Sequence, residues 1–319
     1  MFRIYTAGYL WYNGATITSC LAPSGYIGVH MQGLFYTLVV ISTILFSLQF
    51  LFTQRFQQIN GTGMKATQVF SLYKSLVIIL MMLLISGFKV QFSWFSLGMA
   101  TIYAISSITM SYYSLKAFSV ANLSVFSVFS MLGGMILPFF LGVLFFDEGD
   151  NLIFKIICCA LIVVAVLLNI KSGKQDKKAL FYYFAVFVLN GMSGVISKLH
   201  QSSSLNPVDS TSFMLLSAAV TVVISAAWLL IAYRGIPLIK GKSILFVTGY
   251  GVFNGLGNLF LLIALSGENG LPASVQYPLV TGGVMVCSTI ISTIRKERLT
   301  VREYIATAIA LLASVFIAL

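Results

Sequence analysis

Ten stretches of this 319-residue chain run almost free of charge for long enough to cross a ~30 Å hydrocarbon layer. They are roughly residues 33–53, 67–87, 93–114, 119–146, 152–170, 179–198, 211–233, 244–266, 271–294 and 301–319. In lipid, every backbone polar group has to be satisfied within the protein. Continuous apolar runs achieve this as helices, whereas membrane barrels need short alternating strands. The sequence therefore predicts an all-α integral membrane protein of ten transmembrane helices. Composition agrees: 59% of residues are hydrophobic and 8% charged, against about 25% charged in a soluble globule.

The net charge of +11 does not point to nucleic acid, because basic residues flanking apolar spans are first of all topology signals. Cys20, Cys158, Cys159 and Cys287 show no metal-ligand spacing, and the last three fall within expected helices, where a thiol behaves as a small apolar group. No metal, cofactor or disulfide is expected. Residues 1–30, broken by Gly, Pro and Asn, lack a signal-peptide core and read as an N-terminal extension, with Met31 as an alternative start.

An internal repeat organises the rest. "MLGGMILPFFLGVLFFDEGD" (131–150) and "VTGGVMVCSTIISTIRKERL" (280–299) share one layout, with Gly133 and Gly134 matching Gly282 and Gly283, and Glu148 matching Glu297, at an offset of 149 residues. The first copy ends in acid and the second in base. Five helices per half is an odd number, so the second half starts on the opposite face of the membrane and the two copies are inverted. A positive-inside bias then loads only one copy with Lys and Arg. Loops after odd-numbered helices carry 14 basic residues, among them Arg55, Lys116, Lys174, Lys240 and Arg295. The opposite side has only Arg3, Lys89, Lys155 and Lys198, and Lys74 lies within the second span. This count places the odd loops in the cytoplasm. The first repeat covers residues 31–171 and the second 179–319, divided by the polar "KSGKQDKK" at 171–178.

Over about residues 33–319, this arrangement of two five-helix repeats, each with a glycine-rich fourth helix ending near a Glu, resembles the EamA-like permeases of the drug/metabolite transporter superfamily. The resemblance implies alternating access, with helices 1, 3, 4, 6, 8 and 9 lining a central cavity. The chain departs from the family in one respect. Members are usually drawn with both termini cytoplasmic, whereas the charge count here places both outside.

Candidate pathway residues follow from polar faces in apolar helices. In "GYGVFNGLGN", Gly251, Asn254, Gly255 and Asn258 recur at i, i+3, i+4 and i+7. Asn190, Ser193, Gly194 and Ser197 repeat the device in the sixth span, and Ser127, Ser130 and Gly134 form a similar face in the fourth. In the ninth, Ser274, Tyr277 and Thr281 share a face, with Gln276 about 100° away. Glycines and serines mostly permit close helix approach, so Gly133, Gly134, Gly194, Gly251, Gly255, Gly282 and Gly283 are read as packing residues. Amides are costlier to bury unpartnered, which singles out Asn190, Asn254, Asn258, Gln276 and Tyr277 as pathway lining. All eight acids lie in loops or at span ends, so no membrane carboxylate is available for cation–proton exchange. Lys74 is expected to snorkel to the cytoplasmic interface, the alternative being to neutralise an anionic solute. His200 is expected to be solvated beside a loop.

The leading reading is a cell-membrane permease for a small-molecule solute, an amino acid or related neutral or zwitterionic metabolite, with lipids as its surroundings. The alternatives are a carrier of a lipid-linked or amphipathic compound, favoured by 14% aromatic content, and a non-transporting scaffold. No intramembrane enzyme constellation is present in the sequence, so no catalytic residue is assigned. The charge count makes a direct prediction. In a background without native cysteines, Asp150→Cys should react with an impermeant thiol reagent from outside and Lys174→Cys should not; the reverse pattern would invert the orientation.

Overall fold

The computed structural model describes residues 24–120, 123–146, 152–169, 177–265, 270–296 and 299–318. Residues 1–23, the acid cluster at Asp147, Glu148 and Asp150, the loop 171–176, Glu268, Glu297 and Arg298 lie outside the described residues. The described chain forms helices and no strand. In order, the helices are α1 (Ser24–Asn60), α2 (Met64–Ile85), α3 (Trp94–Phe118), α4 (Leu123–Phe145), α5 (Leu152–Asn169), α6 (Lys177–Gln201), α7 (Ser210–Tyr233), α8 (Lys242–Leu265), α9 (Ala273–Ile294) and α10 (Val301–Ala318). Among the described residues α1, α2, α6, α7, α8 and α9 are long and apolar enough to cross a membrane.

Most helix ends fall within a few residues of those expected, and the main departure is α1. It begins at Ser24, inside the stretch read as an extension, and continues to Asn60. The last proline of the extension is Pro23, which precedes that start in sequence, and a proline ahead of a helix does not interrupt it. Beyond it, glycine alone does not stop one. At the other connections the local chemistry sets the ends. The Ser93 side chain accepts from the Ser96 N–H at the start of α3, Asp209 accepts from the Ser212 N–H at the start of α7, and each fills an otherwise unpaired first-turn donor.

The bundle is inside-out by soluble standards. Ile231, Trp94 and Leu238 stand about four-fifths exposed on the outer face, while Gln49, Gln68, Lys74, His200 and Gln276 are buried. Such a surface belongs in hydrocarbon, with polar groups turned towards one another. α1 packs on α8 and α9, just as α6 packs on α3 and α4. α2 pairs with α7, α4 with α9 and α5 with α10. Exchanging each helix for the one five places along maps this set of pairs onto itself.

Close crossings rest on glycine where one backbone meets another. A Cβ on Gly133 in α4 would collide with the Phe187 carbonyl of α6, and one on Gly191 would lie 2.6 Å from the Gly133 carbonyl oxygen. On the opposite pairing, a Cβ on Gly283 in α9 would lie 2.6 Å from the Thr43 methyl of α1. One on Gly251 in α8 would lie 2.8 Å from Val77 and 3.0 Å from the Lys74 carbonyl oxygen of α2. Gly194 and Gly255 are closed in the same way by Pro138 and Met81, and Gly282 is buried within α9. Without a water-driven hydrophobic force between helices, this backbone approach is a main source of their adhesion. Gly133→Ala should therefore destabilise the folded protein by about 3 kcal/mol, because backbone cannot swing aside as a side chain can. Gly98→Ala, which meets nothing within 4 Å, should be neutral or gain up to about 1 kcal/mol in helix propensity. Thermal denaturation in detergent checks both, and equal behaviour of the two variants would contradict the crossing.

Candidate functional site

A cavity of about 160 Å³ lies at the middle of the bundle and is lined from α1, α2, α3, α4, α6, α7, α8 and α9. α5 and α10 take no part in the lining. The wall from α8 holds a stripe of Tyr250, Asn254 and Asn258, residues four apart that stack one turn above another, and continues through Leu261, Leu262 and Leu265. Gly251 and Gly255 on the neighbouring face turn instead towards α2. One helix thus grips its neighbour with glycine and presents amides to the cavity.

These amides are tied into the bundle. Asn254 Nδ2 donates to Gln49 Oε1 at 2.6 Å, joining α8 to α1, and Asn258 Nδ2 donates to the Asn254 carbonyl at 2.9 Å. From α6, Asn190 Nδ2 donates to the Ser130 carbonyl of α4 at 2.6 Å. The Tyr277 hydroxyl of α9 donates to the Gly194 carbonyl at 3.4 Å, and Thr281 Oγ1 donates to the Met131 carbonyl at 3.0 Å. Asn190, Asn254, Asn258 and Tyr277 all line the cavity. Each has part of its bonding capacity committed to a helix contact, which fixes its orientation.

Gln276 is a different case. It is fully buried and does not line the cavity; its Nε2 donates to the Leu261 carbonyl at 2.7 Å, and its Oε1 has no partner. The 100° offset from the Tyr277 face turns it into the contact with α8. Ser127, Ser130 and Ser274 are likewise buried away from the lining.

Two titratable side chains depart from expectation. Lys74 does not snorkel: it is only 3% exposed and lines the cavity. Its Nζ donates to Ser111 Oγ at 2.7 Å and Ser107 Oγ at 3.4 Å, both on α3, and lies 5.4 Å from the Phe70 ring and 5.2 Å from the Tyr250 ring. Snorkelling fails because α3 offers hydroxyls one turn apart, closer than any interface. His200 is not solvated but fully buried. α6 runs on to Gln201, and the ring stacks on Phe213 of α7 at 4.0 Å with Phe95 of α3 at 5.8 Å. Its Nε2 lies 2.9 Å from Ser96 Oγ.

α2 and α7 also contribute walls that sequence reading did not assign, including Ser75, Ser217 and Thr221. Gln49 was missed although Ser42 and Thr53, at i−7 and i+4, share its helical face. Its signal was that of any buried amide, one that requires a partner.

No family model matches the chain, and no curated protein matches it. Among solved structures, one described only as "Crystal structure of protein" matches with a TM-score of 0.63 at 15% identity, covering 88% of this chain and 96% of its own. At that identity the likeness is one of fold. Both chains are covered almost end to end, so the whole helical arrangement, rather than a fragment, is shared.

The Gln49–Asn254 bond is open to a double-mutant cycle. Gln49→Ala and Asn254→Ala should each destabilise the protein, and the double variant should be less unstable than their sum by about 1 kcal/mol, the usual size of an interhelical hydrogen bond in a membrane. Additive losses in denaturant unfolding would show that the two amides do not meet.

Proposed function

We propose that the protein is a permease that carries a small metabolite across the membrane by alternating access. Its two five-helix halves have inverted topology, as in the EamA-like permeases that the sequence resembles. The observation that carries the reading is the central cavity, whose wall holds a buried ammonium and several amides. Polar and ionisable groups at such depth are costly and mark solute pathways. The helix pairing, unchanged when each helix is exchanged for the one five along, supports two equivalent halves enclosing a site at their boundary, where inverted-repeat carriers bind solute.

The glycine crossings suit this role. α4 meets α6 backbone to backbone at Gly133, and α9 receives only the small Thr43 side chain of α1 at Gly283, contacts with little side-chain interdigitation to unlock when helices rock. Pro138 in α4 and Pro278 in α9 each remove one helical N–H, giving the fourth helix of each half a place to bend beside the cavity. By the charge count, the α2–α3 connection faces outside and the α7–α8 connection the cytoplasm. The carried solute is a small metabolite, and no bond is made or broken in moving it. A membrane scaffold would need the small-residue faces but not a charged cavity.

Uptake of labelled metabolites into proteoliposomes tests the reading, and saturable flux inhibited by unlabelled solute is expected. Asn258→Ala should lower that flux at least tenfold while leaving the melting temperature unchanged, because its amide donates only to a backbone carbonyl of its own helix. A stable stoichiometric complex with another membrane protein, and no flux, would contradict the proposal.

A further inference from the structure

We propose that Lys74 is the recognition residue of the cavity and that the solute it selects is a small monoanionic carboxylate. The inference rests on the permease reading and names its substrate class.

The charge balance of the cavity comes first. Lys74 makes no ion pair among the described residues, and neither of the acids among them lines the cavity. Asp209 caps α7 and Glu303 closes the first turn of α10, where it accepts from the Thr300 hydroxyl. The other six acids lie outside the described residues; Lys74 is the eleventh residue of α2, about 15 Å along the helix axis. A charge removed from water without a counter-charge is costly, and a complementary charge arriving with the solute offsets that cost.

The size of that charge is set by the wall. Among the described residues, Lys74 is the only Lys, Arg, His, Asp or Glu that lines the cavity. A monoanion brings the site to neutrality. A phosphate-ester dianion would leave one negative charge with no arginine to meet it. A zwitterionic amino acid would leave its own ammonium without a carboxylate, and the site would keep its excess positive charge.

Hydrogen bonding agrees with this choice. An ammonium has three donors, and two are directed at Ser111 and Ser107. The Ser111 hydroxyl already donates to the Ser107 carbonyl at 2.8 Å. That leaves one ammonium hydrogen and the Ser107 hydroxyl hydrogen for a solute, two donors suited to the two oxygens of a carboxylate. The Phe70 and Tyr250 rings lie beside the Nζ and exclude water, which strengthens the pairing. From Tyr250 the wall continues through Asn254 and Asn258, about 12 Å along α8, to Leu261, Leu262 and Leu265, so the remainder of the solute meets amides and then apolar side chains. The cavity of about 160 Å³ is close in size to the ~150 Å³ engineered cavity that holds benzene, which limits the solute to a short chain or a single ring.

The test is thermal stabilisation of the purified full chain by a panel of monocarboxylates of three to eight carbons, benzoate included. Each is compared with its neutral amide, and amino acids and phosphate monoesters are run alongside. At least one monocarboxylate should raise the melting temperature, its amide should bind at least tenfold more weakly, and Lys74→Gln should erase that difference while Lys74→Arg keeps it. The proposal is overturned if amides bind as well as acids, if only amino acids or phosphate esters bind, if nothing in the panel binds, or if Lys74→Gln keeps the preference. Should Lys74→Gln not fold, the acid-to-amide ratio of the unaltered protein decides alone. Proteoliposome flux separates the two readings. Carboxylate binding without flux removes the permease and leaves the site; flux of neutral solutes indifferent to Lys74 does the reverse.

Discussion

A lone ammonium held inside a membrane bundle is the constraint around which the interior is organised. Left bare in hydrocarbon, such a charge costs several kcal/mol or more, and the surrounding helices are arranged to solvate it. α3 supplies two hydroxyls one turn apart, and α2 and α8 supply aromatic faces. α8 reaches this position because Gly251 lets it approach until a Cβ would lie 3.0 Å from the Lys74 carbonyl oxygen itself. The packing glycine and the buried lysine therefore belong to a single contact.

The same division of labour recurs around the cavity. Along α6, Gly191 meets α4 by backbone while Asn190, the adjacent residue, presents its amide to the cavity. Along α9, Gly283 meets α1 while Tyr277 and Thr281 face inward. Small residues bring helices together, and amides or hydroxyls elsewhere on the same helix furnish the wall. Because backbone contacts lack interlocking knobs, adhesion and mobility are compatible in such a bundle. α5 and α10, which pair with each other outside the lining, are free to act as a brace.

Much of this was legible in the sequence, for physical reasons that differ between residues. Helix positions follow from hydrophobic length alone, since lipid leaves the backbone little choice. Asn190, Asn254, Asn258 and Tyr277 declared themselves through polar faces at helical spacing. Gln276 shared their chemistry but not their face, and its 100° offset was the clue that it packs against Leu261. Lys74 and His200 could not be placed from their own helices. What holds Lys74 is a pair of serines 33 and 37 residues away, and what encloses His200 is Phe95 and Phe213 on two other helices. Position along a span says how far a side chain is from water, but only the neighbouring helix decides which way it turns.

The central claim is that solute passes through the cavity, and it is tested most directly by blocking that cavity in a functioning protein. Ser193→Cys, a nearly isosteric change in a background without native cysteines, places one thiol on the wall. Its alkylation in proteoliposomes should abolish uptake of the carried solute, and saturating solute should slow the alkylation. Undiminished uptake after stoichiometric alkylation would contradict the account.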